Sequence, residues 1–109
     1  MFDTHHAHIE EDDAPTALAR MGPQLGHVQV SENHRGRLGA GQVPFSRVFD
    51  TLADLDYDGW VVVEAFSRED PAFGNGLRIW RSLAPSSMLV AREGLALVRA
   101  ELARTGLHS

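Results

Sequence analysis

Residues 58–66, DGWVVVEAF, form an almost wholly apolar run that contains one carboxylate, Glu64, near its C-terminal end. A short apolar run that follows an Asp-Gly turn and precedes a loop rich in Gly, Pro and Asn suits a parallel strand buried on both faces. Burying a lone carboxylate in such a strand is costly unless another group pairs with it. The run therefore predicts a buried parallel strand in which Glu64 has a partner, and a cation is a good candidate.

A second strand, with two different faces, is predicted within residues 25–35, LGHVQVSENHR. Because side chains alternate along a strand, His27 and Gln29 point to one face while Val28 and Val30 point to the other. One face is thus apolar, and the other carries atoms that can bind a metal ion. His27 lies one layer deeper than Gln29, which favours a hydrogen-bonded core histidine there and makes Gln29 the better ligand candidate.

Helical patterns separate the strands. Asp13 is a plausible N-cap, and Pro15 lies in the first turn of a short helix that ends before Gly22. Residues 67–76 predict a loop, and residues 77–83 predict a short helical piece. Two further helices are predicted from apolar residues at helical spacing. The apolar stripe of the first consists of Phe45, Val48, Phe49, Leu52 and Leu55. The second is longer, from Met88 to about Arg104, and its stripe consists of Ala91, Leu95, Val98 and Leu102.

The alternation of buried strands and amphipathic helices defines an α/β fold. With only a stub at residues 1–3, the predicted parallel sheet has three strands, bare edges and too few neighbours to cover its apolar faces. A complete (β/α)8 TIM barrel takes about 250 residues, so a chain of 109 residues can supply only a few of its units. We therefore expect about the last three β/α units of a barrel, its C-terminal portion, with the remainder missing or on another chain.

The composition limits the class of function. A formal charge of -5 and a pI near 5.6 leave no basic stripe for phosphate backbones, which disfavours nucleic-acid binding. The sequence has no cysteine, which excludes a disulfide framework and a thiolate metal site. No apolar run approaches the roughly 20 residues that span a bilayer, and the first residues do not resemble a signal peptide. We expect a cytoplasmic protein without membrane contact.

Several segments together resemble the sugar isomerase/epimerase superfamily with a xylose isomerase-like barrel. The matching pieces are DTHHAHIEE, GHVQVSENHR followed by GRLGAG, YDGWVVVEAF, and RIWRSLAPSSMLVAREGLALVR, in the order and spacing of the C-terminal part of such a barrel. Within this superfamily, the sequence particularly resembles ketose 3-epimerases and hydroxypyruvate isomerases. The resemblance implies that residues 1–109 are one part of a TIM-barrel domain from which the N-terminal strands are absent.

The resemblance also implies roles for five residues. Asp3, Gln29 and Glu64 would be ligands of a divalent metal ion, with Glu64 also moving a proton as a catalytic acid/base. His6 and Arg35 would contact substrate hydroxyl groups. A further glutamate, both a ligand and the other acid/base group, should come from an earlier strand and has no counterpart here. Ketose 3-epimerases usually have histidine where this chain has Gln29, whereas hydroxypyruvate isomerases have the HxQ pattern found here.

The residue types agree with that chemistry. Carboxylate and amide oxygens suit a hard or borderline divalent ion such as Mg²⁺ or Mn²⁺. Such an ion would stabilise an enediolate formed by proton removal from a ketose or a small hydroxy-carbonyl sugar substrate. Because exposed barrel faces favour association, we expect a homo-oligomer or a partner that carries the missing part of the barrel.

The residues alone leave other interpretations open. Asp3 also fits a helix-entry or turn carboxylate, and the N-terminal histidines, His6 among them, fit a solvent-facing cluster. Arg35 could pair with Glu64 structurally or remain a solvated surface charge. Glu32 is undecided between a loop salt bridge and a group that supports the metal ligands.

Two alternatives to an isomerase/epimerase follow from the same sequence. One is a truncated or split barrel fragment that has no activity of its own and serves as an assembly piece or is an inert remnant. The other is metal-assisted phosphodiester hydrolysis of damaged DNA, which the acidic charge disfavours.

Overall fold

A three-stranded parallel sheet forms the centre of the computed structural model, which describes residues 1–65 and 87–107. The predicted loop at 67–76 and the helical piece at 77–83 lie outside these residues. A short 3₁₀ turn, Gly22–Gln24, precedes the middle strand. The elements in chain order are β1 (Phe2–Asp3), α1 (Thr4–Glu10), α2 (Ala14–Met21), β2 (His27–Val30), α3 (Phe45–Asp54), β3 (Trp60–Val63) and α4 (Ser87–Thr105).

The middle strand β2 pairs in parallel with both neighbours, in the order β1-β2-β3. Asp3 is level with Gln29 across the first pair, and Gln29 is level with Val62 across the second. Parallel strands separated by helices confirm the predicted α/β class.

The two faces of the sheet have different surroundings. On one face, Val28 and Val30 are fully buried against a core to which α2 and α3 contribute Leu18 and Phe49. On the opposite face, β3 leaves Trp60 75% exposed. The prediction that this strand is buried on both faces is therefore wrong for the part of the chain described, because no element described here covers the second face.

Two helices, α1 and α2, begin at an aspartate whose side chain caps them. Asp13 caps α2 as predicted, by accepting a hydrogen bond from the backbone N–H of Thr16 at 3.1 Å. Asp3 caps α1 in the same way through the N–H of His6 at 3.0 Å. The helix α1 was not predicted, because three histidines in seven residues give no apolar repeat.

The face that α4, the longest helix described, packs on the protein agrees only in part with the predicted stripe. Val98 of the stripe is buried and Leu102 packs against the core, whereas Leu95 is 45% exposed and Val90, outside the stripe, is buried. Gly94 lies between the two valines, and a Cβ built on it would be 2.8 Å from Cγ1 of Val63. The close approach that this glycine permits turns α4 so that Leu95 faces outward.

Across residues 1–65 and 87–107, no helix has both the length and the apolarity that crossing a lipid bilayer requires.

The cap of α2 generates a prediction about pH. The Thr16 hydroxyl, which donates to Asp13 Oδ2, holds the pKa of that carboxyl below its ordinary value, and the Arg47 guanidinium at 3.0 Å lowers the pKa further. A lowered pKa in the folded state means that ionised Asp13 stabilises the fold above the unfolded-state pKa. That stabilisation is lost as the pH falls through the folded-state pKa.

We therefore expect Asp13→Asn, which keeps a capping oxygen but cannot ionise, to melt at a lower temperature than the wild type at neutral pH. The difference should disappear in strongly acidic buffer, and circular dichroism melts across the acid range would measure it. A difference that stays constant with pH would show that the carboxylate charge is not its cause.

Candidate functional site

The carboxyl ends of the three strands bring Asp3, Gln29 and Glu64 together. Asp3 ends β1 and is level with Gln29 on β2. Glu64 follows β3 directly, and its backbone N–H donates to the carbonyl of Val30 at 2.9 Å, which extends the pairing by one residue. Since Glu64 is two residues beyond Val62, its side chain is on the same face of the sheet as Gln29.

The amide of Gln29 lies between the two carboxylates. One terminal atom of this amide is 3.0 Å from Glu64 Oε2 and 3.1 Å from Asp3 Oδ2. With nitrogen at that position, the amide donates a hydrogen bond to each carboxylate. With oxygen there, three oxygens from three strands would converge, which is a donor set suited to a hard divalent cation. The two orientations are related by a 180° turn of the amide.

Arg35 approaches the same site from the loop after β2. Its Nη2 donates to Glu64 Oε1 at 3.0 Å, and the two side chains are 24% and 25% exposed. The pairing with Glu64 that the sequence left open is therefore present. The site contains two carboxylates, Asp3 and Glu64, and one guanidinium, which leaves one excess negative charge. The site therefore still attracts a cation.

His6 lies at the margin of the site, in the first turn of α1. Its backbone N–H donates to Asp3 Oδ1, and its side chain is exposed. The His6 ring packs edge-on against His5, with 4.9 Å between the ring centroids. The structure thus gathers Asp3, Gln29, Glu64 and Arg35 directly, and leaves His6 facing solvent beside them.

Two residues of α1 that sequence reasoning gave no role join this helix to the end of β2. The Thr4 hydroxyl donates to the Ser31 carbonyl at 2.6 Å and accepts from the Ser31 N–H at 2.7 Å. His5 Nδ1 donates to the Glu32 carbonyl at 2.9 Å. Because His5 is only 8% exposed, the solvent-facing interpretation is wrong for this histidine.

Glu32 anchors the loop that carries Arg35. Its side chain is fully buried, and its carboxylate accepts hydrogen bonds from the backbone N–H groups of Val43 (2.8 Å), Gly39 (2.9 Å) and Asn33 (3.1 Å). The backbone of the loop therefore folds around one carboxylate. The sequence left Glu32 open between a loop salt bridge and a group that supports the metal ligands, and these hydrogen bonds give it a third role, support of the loop backbone. A glutamate directly before a glycine-rich loop was the sequence signal for this role.

The loop also sets the backbone of Arg35. Arg35 has φ 65, a left-handed conformation that is uncommon for arginine, and its N–H donates to the Glu32 carbonyl at 3.0 Å. The turn at Arg35 is what directs its side chain back toward Glu64. The geometry of the ion pair thus depends on the loop that Glu32 holds.

The ligand candidates at this edge are two carboxylates and one amide. Within the described ranges, no three His, Cys, Asp or Glu side chains lie close enough together to hold a metal ion. A cation at this edge would therefore need the Gln29 amide oxygen as its third protein ligand, beside the two carboxylates. This all-oxygen set, next to a guanidinium, defines a candidate cation site at the end of a parallel sheet.

A parallel α/β sheet with its polar residues at the strand ends is the architecture of TIM-barrel proteins. The family described as xylose isomerase-like TIM barrel matches residues 1–100, and the chain belongs to this family. This confirms the resemblance seen in the sequence.

Similar proteins include ketose 3-epimerases. The probable ketose 3-epimerase of Synechocystis sp. is 34% identical over 99 residues, 91% of this chain and 34% of that protein. The L-ribulose 3-epimerase of Methylomonas sp. is 38% identical over 100 residues, 90% of this chain and 35% of that protein. A solved structure of an L-ribulose 3-epimerase superimposes with a TM-score of 0.84 at 33% identity, covering 94% of this chain and 35% of its own. The chain thus spans about a third of the length of these relatives.

Replacing Gly41 tests the packing of the loop on Glu32. A Cβ at Gly41 would lie 2.2 Å from Asn33 Oδ1 and 2.6 Å from Glu32 Cγ, so we expect Gly41→Ala to cost about 1–3 kcal/mol. Gly26→Ala is the matched control, because a Cβ there has no neighbour within 4 Å. Urea unfolding measures stability, and tryptic cleavage after Arg35 measures loop opening. Equal stability and cleavage in both variants would contradict the packing described.

Replacing Glu32 tests its role as the loop anchor. Glu32→Ala leaves three backbone N–H groups without their acceptor, and because each buried unsatisfied donor costs about 1–3 kcal/mol, we expect a loss of about 3 kcal/mol or more. Glu10→Ala, at an exposed position in α1, should change stability by about 0.5 kcal/mol or less. Chemical unfolding compares the two. A similar small loss in both variants would show that the loop does not depend on Glu32.

Proposed function

We propose that this chain contributes metal ligands and substrate contacts to a sugar isomerase/epimerase that acts on a ketose or a small hydroxy-carbonyl sugar. The observation that carries the proposal is the convergence of Asp3, Gln29 and Glu64 at the carboxyl ends of three adjacent parallel strands, in a chain whose relatives are ketose 3-epimerases.

The three ligand candidates fit a divalent ion, and Mg²⁺ or Mn²⁺ suits them best. Asp3, Glu64 and the amide oxygen of Gln29 would hold the ion from this chain, beside ligands from elsewhere in the assembled site. When bound, the ion supplies electrostatic stabilisation of the negative charge that develops on the substrate oxygens. Such an ion is proposed as the cofactor of the assembled site.

The remaining residues would orient the substrate and move its proton. Arg35 is positioned by its loop and has a planar array of donors for substrate hydroxyl or carbonyl oxygens. His6 faces solvent beside Asp3 and could add a hydroxyl contact at the rim. Glu64 bonds Arg35 through Oε1 and Gln29 through Oε2, so it would serve as a ligand first and as an acid/base group second.

We further propose that residues 1–109 are the C-terminal three β/α units of a (β/α)8 barrel domain. Three parallel strands and a length of about a third of the relatives support a part of about three units, and the order of the family-like segments in the sequence suggests the C-terminal end. In that arrangement, the other strands supply the second acid/base glutamate, either from the rest of the polypeptide or from a partner. A homo-oligomer or a partner carrying the missing part would complete the barrel, and without it the chain would be an inactive assembly piece.

Metal binding by the chain itself tests the proposal. Asp3→Asn and Glu64→Gln each remove a charged ligand, so we expect Mn²⁺ affinity to fall about tenfold or more in each, as measured by isothermal titration calorimetry. Asp54→Asn, at an exposed position in α3, is the control and should bind as the wild type does. In the assembled enzyme, exchange of a ketose C–H with solvent deuterium should be lost in Glu64→Gln. Unchanged Mn²⁺ binding and unchanged exchange would refute the proposed site.

A further inference from the structure

The Gln29 amide lies where it can either cross-link the two carboxylates or offer its oxygen to a cation. Carboxylates only accept hydrogen bonds, so the hydrogen bonds at 3.0 Å to Glu64 and 3.1 Å to Asp3 require nitrogen at the shared position. A bound cation requires oxygen at the same position, because an N–H group pointed at a cation is repelled. The hydrogen bonds and a bound cation thus require opposite orientations of the same amide.

The amide is suited to this position when no ion is bound. Its NH₂ group has two donors, so a single nitrogen can bond both carboxylates and offset their mutual repulsion. An imidazole ring nitrogen carries at most one N–H and could bond only one of them in the same way. Gln29 therefore joins the two carboxylates of the ion-free site by hydrogen bonds.

Turning the amide requires little movement. The torsion that exchanges oxygen and nitrogen joins an sp³ carbon to an sp² carbon, and such torsions have broad, roughly two-fold profiles. The Gln29 backbone is held in the middle strand by pairing on both sides, so the side chain can turn while the strand stays in place.

We propose that Gln29 is a two-position switch, in which the amide nitrogen bridges Asp3 and Glu64 without an ion and turns by 180° to coordinate through oxygen when a divalent cation binds. This inference rests on the proposed function, because it presumes that the same three residues bind the ion. It adds that ion binding must first break two hydrogen bonds. The amide thus weakens the affinity for the ion in return for a stable ion-free site.

Side-chain amide resonances report the switch directly. The chain has three glutamines, Gln24, Gln29 and Gln42, and the NH₂ pair of Gln29 is identified by its loss in Gln29→Glu. In ¹H–¹⁵N spectra of the ion-free chain, this pair should exchange slowly with water. Titration with Mg²⁺ alone should shift it and speed its exchange, while the pairs of Gln24 and Gln42 stay unchanged.

A second variant tests the cost of the hydrogen bonds. Gln29→Glu matches the shape of glutamine but cannot donate in its ionised form, so the ion-free chain should melt at a lower temperature, and Mg²⁺ should bind severalfold more tightly and restore the melting temperature. Gln24→Glu adds the same charge at an exposed position and should change neither property.

The outcomes separate this inference from the proposed function. Mg²⁺ binding that depends on Asp3 and Glu64 but leaves the Gln29 pair unshifted and protected would overturn the switch and keep the proposed site. A Gln29→Glu variant that is no less stable without Mg²⁺ would also overturn it. Absence of any Mg²⁺ binding to the wild type would overturn both.

Discussion

The register of the parallel sheet determines which side chains can meet at its carboxyl edge. Asp3 is level with Gln29, and one further backbone hydrogen bond fixes Glu64 beyond Val63. Because side chains alternate along a strand, a slip of one residue would turn one of the three site side chains into the helical layer. The buried valines of β2 oppose such a slip, since it would move Val28 and Val30 out of the core at the same time. The packing that stabilises the sheet is therefore also what assembles the site.

A second constraint is the burial of Glu32, which converts a glycine-rich loop into a fixed element. A carboxylate taken out of water is costly unless charge-assisted hydrogen bonds replace its hydration, and here three backbone N–H groups do so. The same carboxylate leaves no room for a side chain at Gly41. Through this loop, the left-handed turn at Arg35 is held and the guanidinium reaches Glu64. The sheet thus positions the carboxylates of Asp3 and Glu64, and the buried Glu32 in the loop positions the guanidinium of Arg35.

Local patterns predicted much of this arrangement and failed where distant contacts decide. The two strand patterns predicted β2 and β3, cap and breaker residues predicted α2, and helical spacing predicted α3 and α4. The family resemblance implied that Asp3, Gln29 and Glu64 share one site, and their positions at strand ends agree with that expectation. The burial of His5 could not be predicted, because it depends on a carbonyl of residue 32, which is distant in sequence. Likewise, the face that α4 buries depends on its contact with β3 at Gly94, which the periodicity of the helix alone does not contain.

The exposed face of the sheet connects the proposed fold to the proposed chemistry. Trp60 and Val62 lie on the same face as Gln29 and Glu64, and in the part of the chain described here both are exposed. A parallel sheet is stable when both faces are covered, and in a barrel this inner face is covered by the other strands. Those strands would also exclude water around the two carboxylates, which strengthens every electrostatic interaction between them, Arg35 and a cation. The same strands would therefore both cover the apolar residues and complete the site. A chain that folds with this face open could hold the three ligand candidates in place and still not catalyse.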